Sequence, residues 1–535
     1  MLVKTATTPH AGPMDENSTP EQVDVVVVGG GAAGLSTALV LARSRRSVVV
    51  VDAGEQRNAP AAHVHNYLGR ESTPPLELVR TGRAEVESYG ARVVEGRVVG
   101  AEALPGDDPS FAVTLDDGTR LVARRVVLAT GVVDELPDVA GLAERWGRDV
   151  LHCPYCHGWE VRDQRVGVLV TGPGGLHHAG LFGQLTDDLT LLAHGSSLDH
   201  AAREPLAARG VRVVDDVVTE VLVEDDRLVG VRTASGEVVA LDALVVASFP
   251  RARTDVADLL GVPTAPLEME GVEIARSLQA DAMGATPVPG VLAVGNAAQP
   301  MATVIGAAAA GTQTGAMVNA QLVAEDTARA VGDARAAMRE PAAWEERYGT
   351  PDRVWSGRVN PQLPARVPSL TPGRALDVGC GEGGDVVWLA QQGWEVTGMD
   401  FSQAGLDHAR EHAEEAGVGD RTSFRVGDAR TFDPGDERWD LVTAHYLHLP
   451  PEPMLDVVRR LASAVAPGGT LLVVGHHPDD VPQGMRPRDD LFVPESLVPA
   501  LDDAWDVSTD VVERTHTGMG HDTVVRDSVL VAVRR

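Results

Sequence analysis

The first strong hydrophobic pattern in the chain is a β-branched run at residues 24–28 that stops at glycines. A run that is apolar at every position predicts a strand buried on both faces within a parallel sheet. A helix is expected over 32–44, and a second strand over 47–51 ends at Asp52. The pattern therefore predicts a strand, a tight turn, a helix and a second strand in succession.

Strands and helices go on alternating along the chain, and the alternation restarts near residue 375. Further strands are predicted at 92–94, 125–129, 166–170, 189–192, 241–246 and 291–294. The span 324–340 is charged and alanine-rich, so we expect a helical linker that Pro341 ends. Each half is therefore expected to be an α/β domain with a parallel sheet.

Length, composition and charge narrow the class of protein. The 535 residues, 44% hydrophobic and 23% charged, indicate several folded globular domains. A net charge of -31 repels phosphate backbones, so no nucleic acid partner is expected. Residues 1–22 are polar and are expected to form a disordered leader, not a signal peptide. Glycines interrupt the apolar stretch 23–42 and arginines follow it, so no membrane association is expected.

Gly29, Gly31 and Gly34 stand between the first strand and the first helix in a G-x-G-x-x-G pattern. The first allows a tight turn, the second lets a pyrophosphate approach, and the third lets the helix pack on the strand. Asp52, 18 residues after Gly34, is placed to hold ribose hydroxyls, and the helix N-terminus offers free N–H groups. The pattern predicts a dinucleotide site, with a glycine-rich packing turn as the alternative.

Two later strand ends extend this pattern, Ala129-Thr130-Gly131 and Gly295-Asn296. With them, residues 22–325 resemble the low-molecular-weight thioredoxin reductases. The resemblance implies an FAD-binding domain split around an inserted nicotinamide-binding domain, with Gly295 and Asn296 also on FAD. Asn296 stands where the family has Asp, and it keeps hydrogen bonding to a ribityl hydroxyl but not the charge. Within 65–69, Asn66 matches a family asparagine near the isoalloxazine.

Three cysteines favour a reducing compartment, here the cytoplasm, with one reactive pair, Cys153 and Cys156. A C-x-x-C pair can close a small disulfide and lowers one thiol pKa. There are two alternatives: the cysteines could be half of a zinc site with His152 and His157, or they could be two inert thiols. No metal site is expected. The segment C-P-Y-C-H-G resembles dithiol oxidases of dithiolopyrrolone and epidithiodiketopiperazine pathways. That resemblance implies that Cys156 faces the flavin, Cys153 exchanges with substrate and His157 shuttles the proton.

A second nucleotide turn is expected after the 166–170 strand, at residues 172–177. Its third small residue is replaced by His177, and the strand 189–192 is followed by no arginine cluster for a 2′-phosphate. The inserted NAD(P)-binding domain therefore looks degenerate, which puts NAD(P)H in doubt. We expect molecular oxygen to accept the electrons, with an NADPH reductase as the alternative.

Residues 374–384 form a strand that runs into a second glycine-rich turn. This turn, the strand ends at 400 and 428–429, the strand 440–445 and the turn 467–469 resemble the ordered motifs of class I methyltransferases. The resemblance implies an S-adenosylmethionine site in which Asp377, Gly379 and Gly381 belong to the turn around the methionine moiety. It also implies that Asp400 binds the ribose hydroxyls and that Asp428 and Ala429 contact adenine. Cys380 within the turn is expected to be structural.

Residues 344–348, Trp355, 446–450 and 475–477 resemble tellurite-resistance and thiopurine methyltransferases, which act on soft nucleophiles. A thiolate needs little base assistance once it is aligned with the methyl group. The residues that could line a methyl-acceptor pocket are His445, Tyr446, His448, His476 and His477. The alternative is that these histidines make loop hydrogen bonds only.

The predicted fold class is α/β: an FAD-binding Rossmann-like domain split around an inserted degenerate NAD(P)-binding domain, then a class I methyltransferase Rossmann-like domain. The predicted order is a leader 1–22, FAD half 23–140, insert with the cysteine pair 141–250, FAD half 251–325, linker 326–343 and methyltransferase 344–535.

The predicted function is an FAD-dependent oxidase of a small-molecule dithiol joined to an S-adenosylmethionine-dependent methyltransferase of a small thiol. One alternative is an NAD(P)H-dependent thioredoxin reductase-like enzyme fused to an unrelated methyltransferase. Another is a flavin redox sensor that does not turn over. A homodimer is expected because related flavoproteins dimerise.

Overall fold

A computed structural model describes residues 20–350, 352–479, 490–518 and 521–535. The chain divides into two compact units, Met1–Glu325 and Asp326–Arg535. The expected leader lies outside the described residues as far as residue 19, and residues 21 and 22 already belong to the first strand. Among the described helices, none combines the length and apolarity needed to cross a membrane.

The first unit opens with a sheet whose centre is the predicted β-branched run. Its elements are β1 (Glu21–Val28), α1 (Ala32–Arg43), β2 (Val48–Asp52), α2 (Pro75–Ser88), β3 (Arg92–Glu95), β4 (Val98–Ala103), β5 (Phe111–Leu115) and β6 (Arg120–Leu128). The strand order is β3-β2-β1-β6-β5-β4, parallel from β3 to β6 and antiparallel beyond. Burial of Val25, Val26 and Val27, each 0% exposed, places β1 in the core.

The chain then leaves this sheet and forms an inserted segment. Its elements are β7 (Val132–Glu135), β8 (Val150–Leu151), α3 (Pro154–His157), β9 (Val166–Leu169), α4 (Gly174–Phe182), β10 (Leu189–Leu192), α5 (His200–Ala208), β11 (Arg212–Val214), β12 (Val218–Glu224), β13 (Arg227–Thr233), β14 (Val238–Ala240), β15 (Ala243–Val246) and β16 (Phe249–Ala252). The parallel sheet is β11-β10-β9-β15-β8, and β12-β13-β14 form a separate antiparallel sheet. Strands β7 and β16 pair where the chain leaves and returns.

The return segment adds one strand to the first sheet. It contains α6 (Asp255–Leu259), β17 (Thr264–Met269), β18 (Val272–Leu278), β19 (Val291–Ala293) and α7 (Val304–Ala337). Strand β19 adds to β6 in parallel, with Val291 opposite Val126, so one sheet is built from two separated parts of the chain. Helix α7 packs closely on α1, because a Cβ on Gly311 would lie 2.2 Å from the carbonyl oxygen of Ala33.

The expected linker helix differs from the structure at both of its ends. Residues 324–337 are the last part of α7, which begins at Val304, and the boundary between the two units falls within this helix. Pro341 does not end a helix. It stands in the first turn of the next one, where its missing N–H costs no hydrogen bond.

The second unit has one seven-stranded sheet. Its elements are α8 (Pro341–Tyr348), α9 (Gln362–Arg366), β20 (Arg374–Val378), α10 (Gly384–Gln391), β21 (Glu395–Asp400), α11 (Gln403–Glu415), β22 (Thr422–Val426), β23 (Trp439–His445), α12 (Pro451–Ser463), β24 (Val465–His476), β25 (Trp505–Gly518) and β26 (His521–Arg534). The order is β22-β21-β20-β23-β24-β26-β25.

Strands β20 to β24 of this sheet are parallel, as predicted, but β25 and β26 form an antiparallel hairpin that the sequence analysis did not predict. The sheet is therefore mixed. Strand order reverses between β20 and β23, and ligands of open α/β sheets bind at such a point, beyond the carboxyl ends of the strands.

Candidate active sites

A cavity of about 940 Å³ in the first unit brings the glycine turn and the cysteine pair together. The predicted site residues that line it are Gly29, Gly31, Asp52, Cys153, Cys156, His157 and Asn296. Gly34, Asn66 and Gly295 lie outside its lining. A Cβ on Gly34 would lie 1.9 Å from the carbonyl oxygen of Gly29, which is the predicted helix-packing role. A Cβ on Gly295 would meet Ala33 at 2.6 Å, so this glycine also serves packing.

The glycine turn fits the pyrophosphate of FAD. Gly31 is the N-cap of α1, and a Cβ added to it would meet no atom of the described residues within 4 Å, so its open side is available to a ligand. The first turn of α1 carries no acidic residue, which leaves the positive end of the helix to an anion. At the end of β2, Asp52 accepts a hydrogen bond from the Gly30 N–H at 3.3 Å.

Asn296 has a structural reason to be asparagine. Its side-chain nitrogen donates to the carbonyl oxygens of Pro300 at 3.1 Å and Ala302 at 2.9 Å. A carboxylate at this position would face the same carbonyls with no proton to donate. The amide nitrogen therefore holds the 299–302 loop against the cavity wall, and the amide oxygen is the atom left for a ligand.

Cys153 is the N-cap of α3, and Cys156 lies within the single turn of this helix. Their Sγ atoms are 2.7 Å apart, and both residues are half-buried. The hydrogen bond from Cys156 lowers the pKa of Cys153 to about 7. Backbone N–H groups and Arg57 act in the same direction, and burial opposes them. The same contact and burial raise the pKa of Cys156. In the reduced pair, Cys153 is thus the thiolate and Cys156 holds the proton.

His157 follows the pair and is suited to take a proton. Its Nε2 is buried and has no hydrogen-bond partner among the residues that the structure describes. Burial lowers the pKa of His157, against the opposing field of Glu160, so the imidazole is neutral at pH 7. A neutral imidazole with an unused nitrogen beside two thiols is the arrangement that general acid–base catalysis requires.

Residues 65 and 66, which lie between β2 and α2 and are called the strap below, hold the cysteine turn. Asn66, in a left-handed conformation with φ of 58°, donates its side-chain amide to the carbonyl oxygen of Tyr155. His65 contacts Glu71 at 2.6 Å and Glu160 at 3.4 Å. Asn66 is thus placed at the cysteine turn, where it fixes the backbone between the two thiols.

The second nucleotide turn is built differently from a phosphate site. His178, on α4, packs edge-on against His152 with ring centroids 5.4 Å apart, and His152 adjoins Cys153. Burial lowers the pKa of His178 to about 4, so this ring adds no positive charge at pH 7. Arg203, the first arginine after β10, is bonded to Asp215. The described part of this turn therefore offers neither a free cation nor the small residue of a nicotinamide site.

In the second unit the glycine turn between β20 and α10 is held by an acid at the end of β21. Asp400 accepts hydrogen bonds from the N–H groups of Gly381 and Ser402, each at 2.9 Å. Gly379 and Gly381 have φ of 75° and 50°, a left-handed backbone that favours glycine. In the structure Asp400 thus shapes the turn, and its contact with the ribose hydroxyls stays a prediction.

Asp377 and Asp400 make this turn fit a cationic ligand such as S-adenosylmethionine. Both side chains are buried, at 3% and 7% exposure. Burial and the neighbouring Asp385 raise the pKa of Asp377 to about 7. A sulfonium and an ammonium group would relieve this accumulation of buried carboxylates. One oxygen of Asp377 accepts from the Thr443 hydroxyl at 2.7 Å.

The two residues predicted to contact adenine differ in their surroundings. Asp428 forms an ion pair with Arg430 at 2.8 Å. Although burial alone would raise it, the pKa of Asp428 is lowered by this guanidinium. Ala429, 7% exposed, belongs to the hydrophobic core beside Phe432. Its methyl group thus contributes to packing under the strand end.

The expected acceptor residues lie in three different settings. Tyr446 stacks on His476 with centroids 4.4 Å apart, and His476 stacks on His448 at 5.2 Å with rings 7° from parallel. His445 instead contacts the Asp385 carboxylate at 2.7 Å through Nδ1. His477 Nδ1 accepts from the Asp479 N–H at 3.2 Å, which is a loop hydrogen bond.

The side chains that contact Tyr446 and His445 were not predicted from the sequence. The Tyr446 hydroxyl contacts Asp527 at 3.1 Å and Arg514 at 2.8 Å, both from the unpredicted hairpin. Asp385 could have been found, because it follows the glycine turn directly and shares a sheet edge with His445. Ligand atoms of Asp377, Asp385 and His445 lie within 4.8 Å of one another, a spacing that also suits a cation.

Comparison with known proteins identifies the first unit. The sequence pattern of pyridine nucleotide-disulphide oxidoreductases matches residues 23–315, more than half of the chain. The chain belongs to this family. Thioredoxin reductase tcpT of Claviceps purpurea is 33% identical over 324 residues, which cover 58% of this chain and 97% of that protein. Thioredoxin reductase sirT of Leptosphaeria maculans is 30% identical with the same coverage.

Solved structures with similar sequences agree with the fold of the first unit. The chain is 46% identical to HlmI, with a TM-score of 0.56, and the match covers 60% of this chain and all of HlmI. An oxidoreductase from Agrobacterium tumefaciens is 36% identical, with a TM-score of 0.52, over 56% of this chain and 99% of that one. A methyltransferase domain pattern matches residues 375–469. The predicted fusion of a thioredoxin reductase-like FAD oxidoreductase with a methyltransferase is confirmed.

Proposed function

We propose that the first unit oxidises a small-molecule dithiol to a disulfide and passes the electrons to molecular oxygen. The observation that carries this proposal is the shared cavity. Cys153, Cys156 and His157 face the same space as the FAD-type glycine turn, whereas the expected nicotinamide turn carries His177 and His178. Electrons can thus enter from a thiol in the cavity without a nicotinamide.

The residues define a thiol–disulfide exchange with an overall balance of dithiol plus oxygen to disulfide plus hydrogen peroxide. As a substrate thiol attacks Cys153 Sγ of the oxidised pair, its proton passes to His157 Nε2, the Cys153–Cys156 bond breaks and Cys156 leaves as the thiolate. The second substrate thiol then displaces Cys153 as the thiolate and its proton passes to Cys156, which completes the product disulfide and leaves the pair reduced. FAD, when bound, supplies the two-electron acceptor that restores the oxidised pair and is itself reoxidised by oxygen.

An NAD(P)H-dependent reductase is the second candidate, because the similar fungal proteins are named thioredoxin reductases. This function would require the inserted domain to bind a nicotinamide nucleotide. The bulky His177 in the turn and the pairing of Arg203 with Asp215 argue against it. We therefore place the reductase second.

For the second unit we propose methyl transfer from S-adenosylmethionine to a small thiol. Asp377, Asp400 and the glycine turn would hold the cofactor, and the stacked rings of Tyr446, His448 and His476 would form a wall of the acceptor site. S-adenosylmethionine supplies an electrophilic methyl group. Both units would then act on sulfur, which gives the fusion a chemical reason.

The biological setting is also a proposal. A single reactive cysteine pair supports a reducing compartment such as the cytoplasm. The net charge of -31 supports small-molecule partners and argues against nucleic acid. We expect a homodimer, which sedimentation of the purified chain would test.

Oxygen uptake with dithiothreitol as the dithiol tests the oxidase. The wild-type protein should consume oxygen and produce hydrogen peroxide in equal amounts, and Cys153→Ser should abolish both while FAD stays bound. Cys380→Ser is the matched control, since this third thiol lies in the other unit and outside the cavity. Equal uptake by wild type and Cys153→Ser would contradict the proposal.

A further inference from the structure

His445 ends β23 at the edge of the sheet where strand order reverses, and its imidazole is oriented by a carboxylate. Its Nδ1 contacts Asp385 Oδ2 at 2.7 Å, and its side chain is 4% exposed. Nε2, across the ring, is buried and hydrogen-bonds to no residue in the described part of the chain. A buried polar atom without a partner is costly unless a ligand completes it.

Asp385 is held in turn by the backbone. It follows the glycine turn in the first turn of α10, and its Oδ1 accepts a hydrogen bond from the Asn360 N–H at 2.6 Å. Its other oxygen is the one on His445. The carboxylate therefore fixes the imidazole so that Nδ1 keeps a proton and Nε2 is the basic nitrogen.

We propose that His445 Nε2 removes the proton of a methyl acceptor that enters as a neutral thiol, with Asp385 positioning the ring. This inference rests on the proposed thiol methylation and names the form in which the thiol binds. As the acceptor sulfur bonds to the methyl carbon, the methyl–sulfonium bond breaks and the S–H proton passes to Nε2. The methyl thioether, S-adenosylhomocysteine and protonated His445 are the products of that step.

The charges around the site explain why a base is needed for a thiol. His445 is faced by Asp385 on α10, Asp377 on β20 and Asp527 on β26, and Arg514 of β25 is already paired with Asp527. Negative surroundings raise the pKa of an incoming thiol and disfavour the free thiolate. Burial alone would lower the pKa of His445, but Asp385 and the other carboxylates raise it, which makes the imidazole a stronger base.

Two other roles of the cluster give different experimental results. A divalent cation could bind Asp377, Asp385 and His445, in which case chelators would abolish methyl transfer and the metal would restore it. A structural ion pair would change folding and cofactor affinity but would not depend on the acidity of the acceptor. Only a base makes the loss of His445 depend on whether the acceptor carries a proton.

The first test compares two acceptors in the full-length protein, an alkyl thiol and an aromatic thiol that is already ionised at neutral pH. His445→Gln should lower kcat for the alkyl thiol by about 10²–10⁴-fold and should change that for the aromatic thiolate only a few-fold. His200→Gln is the control, since this exposed imidazole lies in the other unit. Equal effects on both thiols, or rescue of chelated enzyme by a metal, would overturn the proposal.

The positioning role of Asp385 has its own readout. Methyl transfer to the alkyl thiol should rise with pH as His445 loses its proton. Asp385→Asn removes the carboxylate that raises the His445 pKa, so this rise should move to lower pH while kcat falls. A purely structural role would lower kcat without moving the pH profile, which would overturn the assignment of Asp385.

A measurement without acceptor separates this inference from the proposed substrate. Protonated His445 repels the sulfonium, so S-adenosylmethionine affinity should fall as the pH is lowered and His445 gains its proton, and this fall should be steeper in wild type than in His445→Gln. If neither thiol is methylated, the thiol assignment fails while this pH dependence still decides the titration of His445. Identical pH dependence in both proteins would overturn the proposal.

Discussion

The acidity of Cys153 provides the sharpest prediction for the flavin unit. With a pKa of about 7, half of Cys153 in the reduced enzyme is thiolate at pH 7. A thiol at the ordinary value of 9.0 would be about 1% ionised. The difference of about two units corresponds to roughly 2.7 kcal/mol in favour of the thiolate. Since the thiolate is the nucleophile, reactivity should increase with pH and reach half of its maximum near pH 7.

Cys156→Ala tests the cause of this shift. The substitution removes the hydrogen bond from Cys156 Sγ, which is the largest contribution to the shift, but leaves the backbone N–H groups and Arg57. We expect the midpoint to rise by about one unit, which lowers the thiolate fraction at pH 7 by about fivefold. The remaining contributions should keep the midpoint below that of an ordinary thiol.

The assay is anaerobic alkylation of the reduced protein with iodoacetamide at several pH values, followed by peptide mass spectrometry. Cys153 should react first, and Cys156 should remain protected by its raised pKa. A wild-type midpoint near 9, or alkylation of Cys156 before Cys153, would refute the assignment of the thiolate.

Three further substitutions test other contacts. Asp400→Ala strands the buried N–H groups of Gly381 and Ser402, so calorimetry should show S-adenosylmethionine affinity weakened by ~1–3 kcal/mol, roughly one to two decades; unchanged affinity would contradict the role of this acid. Asn66→Ala removes the hydrogen bond to the cysteine turn, so dithiol turnover should slow with FAD still bound, and equal turnover would show that the strap is dispensable. His157→Gln should lower dithiol turnover about 10²-fold or more if Nε2 carries the proton, and an unchanged rate would exclude it.

Local patterns in the sequence predicted the parts of the fold that local physics determines. The β-branched run of β1, the glycines after it and Asp52 are close in sequence, and their roles follow from strand burial and turn geometry. The C-x-x-C spacing likewise predicts neighbouring thiols. The strands β9, β10 and β19 were predicted within two residues because their apolar runs end at turn residues.

Features that depend on tertiary contacts were not predictable in this way. The described positions of the hairpin of β25 and β26 follow no alternating pattern, because residues 527–530 are all buried and residues 506–508 are all exposed. The partners Arg514 and Asp527 of Tyr446 come from this hairpin. The contact of His178 with His152 joins two segments that are distant in sequence.

In the proposed function, thiols and not a nicotinamide reduce the flavin. Anaerobic stopped-flow absorbance of the purified protein distinguishes the two, with dithiothreitol and NADPH mixed in separate experiments. Dithiothreitol should bleach the flavin fully, oxygen should restore the oxidised spectrum with release of hydrogen peroxide, and NADPH should react slowly or not at all. Rapid, saturable reduction by micromolar NADPH would overturn the oxidase and assign the reductase function instead.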